Sequence, residues 1–130
     1  MEVDQIAAEI EAEVAGFEPA GLGVREATEE LAWYALDTHG FSASRFWELM
    51  LAVGLDFDSL YSAYVGKNVL NFFRQDNGYK EGTYVKSWAG REDNEHLVDV
   101  VAGLDHAASD FADQVYRALE GRYREVVGGA

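Results

Sequence analysis

Apolar residues recur at three- and four-residue intervals along most of this chain, and acidic residues fill many of the positions between them. That spacing is typical of α-helices with one face in a core. Only residues 83–88 offer a candidate strand. The pattern predicts helical segments at about 2–15, 24–38, 42–53, 56–76 and 93–124, and the last of these can break near residues 103–106.

The segments are separated by residues that are typical of helix caps and turns. Ser42 can cap the third helix, and Asp56 or Asp58 the fourth. Asn77-Gly78 ends the fourth helix, since glycine takes the left-handed conformation cheaply, and residues 78–92 follow as a glycine-punctuated loop. We therefore expect an all-α fold, a compact bundle of about five helices with one Gly-rich loop.

Length and apolar surface predict how the bundle is organised. A chain of 130 residues with one proline suits a single domain, 1–130. The apolar residues, 48% of the total, exclude a disordered chain. Large apolar helix faces in so short a chain favour self-association, so we expect a homodimer to complete the bundle.

Charge narrows the classes of partner. The net charge of −14 and a pI near 4.4 argue against nucleic acid or an anionic membrane as the main partner. No apolar run is long enough to span a bilayer. The sequence has no cysteine, so it offers no disulfide framework and no thiolate metal site, which fits a cytoplasmic location.

One stretch reverses this charge. Half of the ten lysines and arginines fall between residues 67 and 91, where only Asp76 and Glu81 oppose them. Lys67, Asn71 and Arg74 are spaced i, i+4, i+7, which places them on one face of the fourth helix. The apolar residues around them predict a largely buried helix, whose charges need partners. An anionic ligand is one explanation, and an exposed face with scattered ion pairs is the other.

The same stretch resembles a known family. KNVLNFFRQDNGYKEGTYVKSWAGREDN looks like the signature of the dimeric dUTPases, in the all-α NTP pyrophosphohydrolase superfamily. The positions that match without a gap are Lys67, Asn68, Leu70, Asn71, Arg74, Gly78, Tyr79, Lys80, Gly82, Tyr84, Lys86, Trp88, Gly90, Glu92, Asp93 and Asn94. The resemblance implies hydrolysis of dUTP to dUMP and pyrophosphate by a homodimer, with water activated by Mg²⁺.

The resemblance also implies roles for individual residues. The triphosphate would be contacted by Lys67, Arg74, Tyr79 and Lys86. Asn71 would lie near the sugar or the base. Asp93 and Asn94 would close the site from the loop side, through phosphate, water or the loop backbone.

The metal ligands are less completely matched. The superfamily carries E-x-x-E on one helix and E-x-x-D on the next. This chain has Glu26-Ala-Thr-Glu29 with Glu30 beside it, but no E-x-x-D. Carboxylates at i and i+3 share a helix face, so Glu26 and Glu29 are the candidate catalytic residues, and Glu30 joins them as a candidate Mg²⁺ ligand. Glu92 with Glu95, a partner chain, or a solvated helix turn with no metal remain alternatives.

Three functions are consistent with these observations. The first is a pyrophosphohydrolase acting on a deoxynucleoside triphosphate, preferably dUTP. The second is a nucleotide-binding subunit that works only with a separate acidic chain. The third is a non-catalytic homologue that keeps the helical fold.

Overall fold

The computed structural model describes residues 2–129 and is mostly helical, with 66% of the chain in helices and one small hairpin. The all-α prediction is confirmed. The elements are α1 Val3–Ala15, α2 Val24–Thr38, α3 Ala43–Ala52, α4 Phe57–Asp76, β1 Ser87–Trp88, β2 Arg91–Glu92, α5 Asp93–Ala102 and α6 Phe111–Val127. The predicted fifth segment is thus two helices, because the chain leaves helical geometry after Ala102 and resumes it at Phe111.

Contacts within the chain divide it into two compact units, Met1–Asp56 and Phe57–Ala130. The first unit holds α1, α2 and α3, and the second holds the remaining elements. The single-domain organisation stays a prediction.

In the first unit, α3 packs against both α1 and α2. Ser42 is its N-cap, as predicted, and its hydroxyl accepts a hydrogen bond from the Arg45 amide at 3.2 Å. Glu13 of α1 reaches the same helix start, where its Oε1 accepts from the Ser42 hydroxyl at 2.8 Å and from the Ser44 amide at 2.9 Å. A carboxylate at a helix N-terminus satisfies free N–H groups and complements the helix dipole.

The second unit has a core centred on Phe73 and Trp88, both fully buried. The other buried apolar residues in this cluster are Val69, Leu70, Leu97, Val100, Phe111, Val115, Leu119 and Tyr123. Four aromatic rings surround Phe73 with centroids 5.3–6.3 Å away, all near edge-on, which is a favourable geometry for aromatic pairs. This core holds α4, α6 and the loop around residue 88 together.

One expectation about burial is wrong. α4 is not largely buried, since Tyr64 and Phe72 are 67% and 68% exposed. On α5, the apolar residue Val98 is likewise 68% exposed. In both helices, apolar residues extend around the helix beyond the face that packs against neighbouring helices. The apolar residues outside that face are therefore exposed.

A glycine allows α4 and α5 to approach closely. Gly66 is buried, and a Cβ built there would lie 3.0 Å from Val101 Cγ2 and 3.4 Å from a Leu97 methyl group. Larger side chains at this position would push the helices apart. Gly66 precedes Lys67, so the close approach also brings Lys67 towards α5.

The hairpin leads directly into α5. Trp88 pairs with Arg91, and the two residues between them, Ala89 and Gly90, have φ of +52° and +80°. Positive φ at both positions is what a two-residue type I′ turn requires.

None of the helices described in residues 2–129 has an apolar run of the length needed to cross a bilayer.

Candidate functional site

The cationic face of α4 meets the start of α5. Lys67 Nζ donates to Asn94 Oδ1 at 2.5 Å. Two turns further along α4, Arg74 Nε and Nη2 donate to the two carboxylate oxygens of Asp93, each at 2.8 Å. Residues that are seven apart on one helix therefore reach adjacent residues on the other.

Asp93 is the buried centre of this cluster, with no exposed surface. Besides Arg74, it accepts a hydrogen bond from the Tyr84 hydroxyl at 2.7 Å. Burial by itself would raise the pKa of Asp93, but the hydrogen bonds from Arg74 and Tyr84 outweigh it, and the pKa lies below its ordinary value. The carboxylate is thus ionised and fully occupied by protein donors.

The two donors to Asp93, Arg74 and Tyr84, also have shifted pKa values. The hydrogen bond to Asp93 raises the pKa of Arg74. Burial, followed by the hydrogen bond to Asp93, raises the pKa of Tyr84, which therefore stays protonated and able to donate. The three side chains form one hydrogen-bonded group that joins α4, the 78–92 loop and α5.

The backbone at the start of α5 is fixed by the loop and by a cap. The Asp93 amide donates to the Lys86 carbonyl at 3.0 Å. The Glu95 carboxylate accepts from the Glu92 amide at 2.8 Å. This gives Glu95 a capping role at the helix start.

The other predicted substrate-binding residues lie near this cluster but are more exposed. Asn71 Oδ1 is 3.5 Å from Arg74 Nη1, which is a weak contact. Tyr79 is 53% exposed, and its ring centroid lies 6.2 Å from that of Tyr84. Lys86 Nζ lies 3.8 Å from Glu92 Oε2, and both side chains are mostly exposed.

A groove opens beside Lys67 and Asn94. Its volume is about 430 Å³, and its walls come from α4 and α5, including Ala63, Leu97 and Val101. This volume falls within the usual range for small-molecule sites. The groove combines apolar walls with one lysine and one amide at one edge.

The predicted carboxylates are all exposed on α2. Glu29 Oε1 lies 3.2 Å from Arg25 Nε, and Glu30 Oε2 lies 3.8 Å from Arg45 Nε. Across residues 2–129, no three His, Asp or Glu side chains are grouped closely enough to hold a metal ion. The assignment of Glu26, Glu29 and Glu30 as ligands, and of the first two as catalytic, stays a prediction.

The sequence interpretation missed Glu48, a carboxylate in the first unit. Glu48 on α3 is only 6% exposed. Its Oε1 accepts from the Ala20 and Leu22 amides at 2.9 and 3.0 Å, and its Oε2 is buried without a hydrogen-bond partner among the described residues. The sequence contained one signal, a glutamate inside the apolar run FWELML.

Glu48 lines a pocket of about 290 Å³ together with Glu30, Arg45 and several apolar side chains of the first unit. Proteins often hold Mg²⁺ by one or two carboxylates, with waters and substrate phosphates completing the shell. Two carboxylates with one free buried oxygen fit that arrangement. Of the three predicted ligands, only Glu30 lines this pocket.

Comparison with known families supports the resemblance seen in the sequence. The family model described as dUTPase, that of the dimeric dUTPases, matches residues 24–79. The match spans α2, α3 and α4, and it includes Glu30, Glu48, Lys67 and Arg74. No protein of curated function matches the chain.

The resemblance to the dimeric dUTPases is thereby confirmed, and it implies a function of the NTP pyrophosphohydrolase type. It also suggests a hydrolase with a nucleotide substrate, in a family that typically uses a divalent metal ion.

Proposed function

From this family match, we propose that the chain hydrolyses a deoxynucleoside triphosphate, dUTP by preference, to the monophosphate and pyrophosphate. The observation that supports the proposal best is the convergence of Lys67 and Arg74 on Asn94 and Asp93. It gives the cationic face of α4 a fixed direction, towards the start of α5.

The lysines are the residues best suited to hold the triphosphate. Lys67 is exposed and donates to a neutral amide oxygen, so its charge is not balanced by that contact. Lys86 has a carboxylate nearby, but the 3.8 Å separation and the exposure of both groups make this ion pair weak. Phosphate oxygens can replace either partner, because ammonium groups bind phosphate as point charges.

Arg74 has a different proposed role. Two of its three nitrogens are committed to Asp93, which leaves Nη1, 3.5 Å from Asn71, as the nitrogen that can turn to a substrate oxygen. We therefore assign Arg74 a double task, to hold the buried carboxylate and to offer one N–H group. Asn71, Tyr79 and Asn94 then supply neutral hydrogen bonds to sugar, base or phosphate.

The metal ion we propose is Mg²⁺, with Glu48 and Glu30 as the protein ligands in place of a set made only from α2. A Mg²⁺ ion held by these residues would lower the pKa of a coordinated water. To take part, Glu30 must leave Arg45, whose guanidinium carbon also lies 4.5 Å from the centre of the Tyr34 ring. Glu48 needs no such change, because one of its oxygens has no hydrogen-bond partner among the described residues.

Calorimetry with a non-hydrolysable dUTP analogue tests the binding site. Lys67→Ala should weaken binding about tenfold, the scale of one charge-assisted hydrogen bond. Arg117→Ala removes an exposed cation of α6, in the same unit, and should leave the affinity unchanged. Equal affinities for Lys67→Ala and the wild type would remove the basis of the proposal.

Pyrophosphate release from dUTP tests the reaction. We expect release by the pure chain only when Mg²⁺ is present. Mg²⁺ titrated alone should raise the melting temperature of the wild type but not of Glu48→Gln, a variant that keeps an acceptor for the Ala20 and Leu22 amides. Asp37→Asn, an exposed change on α2, serves as the matched control.

A second function is favoured by one observation. Because no three carboxylates gather within residues 2–129, the chain fits a nucleotide-binding subunit whose catalytic carboxylates come from a separate acidic chain. This alternative predicts nucleotide binding with no turnover by the pure chain, and pyrophosphate release only after the acidic chain is added.

A further inference from the structure

Tyr123 on α6 lies outside both the family match and the sequence signature, yet it contacts the loop that carries the site. Its side chain is 9% exposed. Its ring stacks on that of Tyr84, with centroids 5.5 Å apart and an angle of 14° between the planes. Its hydroxyl accepts a hydrogen bond from the Val85 amide at 3.2 Å.

These contacts fix both peptide groups of Val85. Its amide is held by Tyr123, and its carbonyl accepts from the Trp88 indole at 2.7 Å. The next carbonyl, that of Lys86, accepts from the Asp93 amide. The backbone from which the Lys86 side chain extends is thus held at consecutive points, although that side chain is itself exposed.

The stacked pair has a second consequence. The ring of Tyr84 lies against Tyr123, while its hydroxyl donates to Asp93 at 2.7 Å. Tyr123 therefore packs against one of the donors to the buried carboxylate to which Arg74 is bound. Tyr123 thus contacts both Tyr84 and the backbone next to Lys86.

We propose that Tyr123 is a positioning residue of the triphosphate site, which acts through Tyr84 and Val85 on Asp93 and Lys86. This inference rests on the proposed function. It adds α6 to the elements that build the site, and it assigns Tyr123 a task beyond filling the core.

A neighbouring tyrosine provides a matched control. Tyr116 is also on α6 and also meets Phe73 edge-on, with centroids 5.4 Å apart compared with 5.3 Å for Tyr123. Its hydroxyl donates to Asp76 at 2.7 Å and makes no contact with the 78–92 loop among those described. A change from tyrosine to phenylalanine removes one hydroxyl at either position and keeps the ring.

The test measures the affinity of a non-hydrolysable dUTP analogue and of dUMP by calorimetry. Tyr123→Phe should weaken binding of the triphosphate about three- to tenfold, the range for one neutral hydrogen bond. It should change dUMP binding by less than about twofold, because dUMP lacks the outer phosphates. Tyr116→Phe should bind both ligands like the wild type.

Each other result has a distinct meaning. If the wild type binds neither nucleotide, the proposed function fails and this inference fails with it. If the wild type binds and Tyr123→Phe binds the triphosphate equally well, the inference alone is overturned. An equal loss for both ligands would show a general structural effect and would also overturn it.

Amide hydrogen exchange checks the geometry without nucleotide. The Val85 amide should exchange slowly in the wild type, since its only described acceptor is the Tyr123 hydroxyl. In Tyr123→Phe it should exchange about tenfold faster, and in Tyr116→Phe at the wild-type rate. Rapid exchange of Val85 in the wild type would contradict the inference, whatever the stability of the variants.

Discussion

Arg74 and Asp93 are nineteen positions apart in the sequence, and they meet in the fold through two N–H···O bonds of 2.8 Å each. The Arg74 side chain is 14% exposed and the Asp93 side chain is fully buried. A bidentate pair in this setting joins α4 to α5 with a defined orientation. It also means that the strongest electrostatic contact of the candidate site is made within the protein itself.

Removal of one partner should therefore cost stability as well as binding. Arg74→Ala leaves the Asp93 carboxylate buried without its cation, and we expect the free energy of unfolding to fall by about 3 kcal/mol. Arg74→Lys should recover little of this, because an ammonium cannot supply two parallel donors. Urea denaturation followed by circular dichroism measures both changes.

A surface ion pair provides the control for this prediction. Arg91 Nη1 donates to Asp99 at 2.7 Å, and both side chains are more than 40% exposed. Because solvent screens such a pair, Arg91→Ala should change the stability little. An equal loss for the two alanine variants would contradict a special role for the buried pair.

Asp93 also predicts how the second unit responds to acid. Its pKa is lowered in the folded chain from an ordinary value of 3.8, so the folded state binds the proton less readily than the unfolded state. Its contribution to stability is complete above pH 4 and is lost as the pH falls through the lowered pKa. Thermal melts from pH 5 to pH 2 should show a loss that is smaller in Asp93→Asn, which is less stable at neutral pH.

Glu13 predicts an acid response in the first unit. The Ser44 amide and the hydroxyls of Ser44 and Ser42 lower its pKa from 4.5 to about 2. The cap on α3 is therefore complete above pH 4.5 and is lost as the pH falls towards 2. The Ser44 amide resonance should titrate with an apparent pKa near 2, whereas it should show no such titration in Glu13→Gln. A midpoint near 4.5 in the wild type would rule out this contact.

Two glycines of the loop offer a matched comparison of backbone effects. Gly78 and Gly82 have φ of +90° and +74°, so alanine is strained at both. A Cβ at Gly78 would also lie 2.0 Å from the Thr83 hydroxyl, whereas nothing lies within 4 Å at Gly82. We expect Gly82→Ala to cost about 1 kcal/mol and Gly78→Ala clearly more. Equal costs by urea denaturation would show that Thr83 moves aside freely.

The positions of the helices could be predicted from the sequence because their signals are local. Apolar spacing set the extents of α1, α2 and α4, and Ser42 and Gly78 marked helix ends that the structure confirms. The spacing of Lys67, Asn71 and Arg74 also placed them on one helix face without knowledge of any other element.

The partners of these residues could not be predicted, because they depend on which helices pack together. No local pattern shows that Arg74 binds Asp93, or that Tyr123 on α6 supports a loop that lies 38 positions earlier. The exposure of Phe72 and Val98 could not be predicted for the same reason, since an apolar residue is covered only where another element reaches it.

The sequence by itself determined an all-α chain, a cationic helix face and a family resemblance, since each depends on residue type and spacing along the chain. Only the tertiary structure decided which charges are neutralised within the protein and which remain available to a ligand. Arg74 is paired with a buried carboxylate and Lys67 with a neutral amide, although both cations lie on the same face of α4. The physical reason is that pairing and burial depend on distances across the fold, whereas helix periodicity depends on the chain alone.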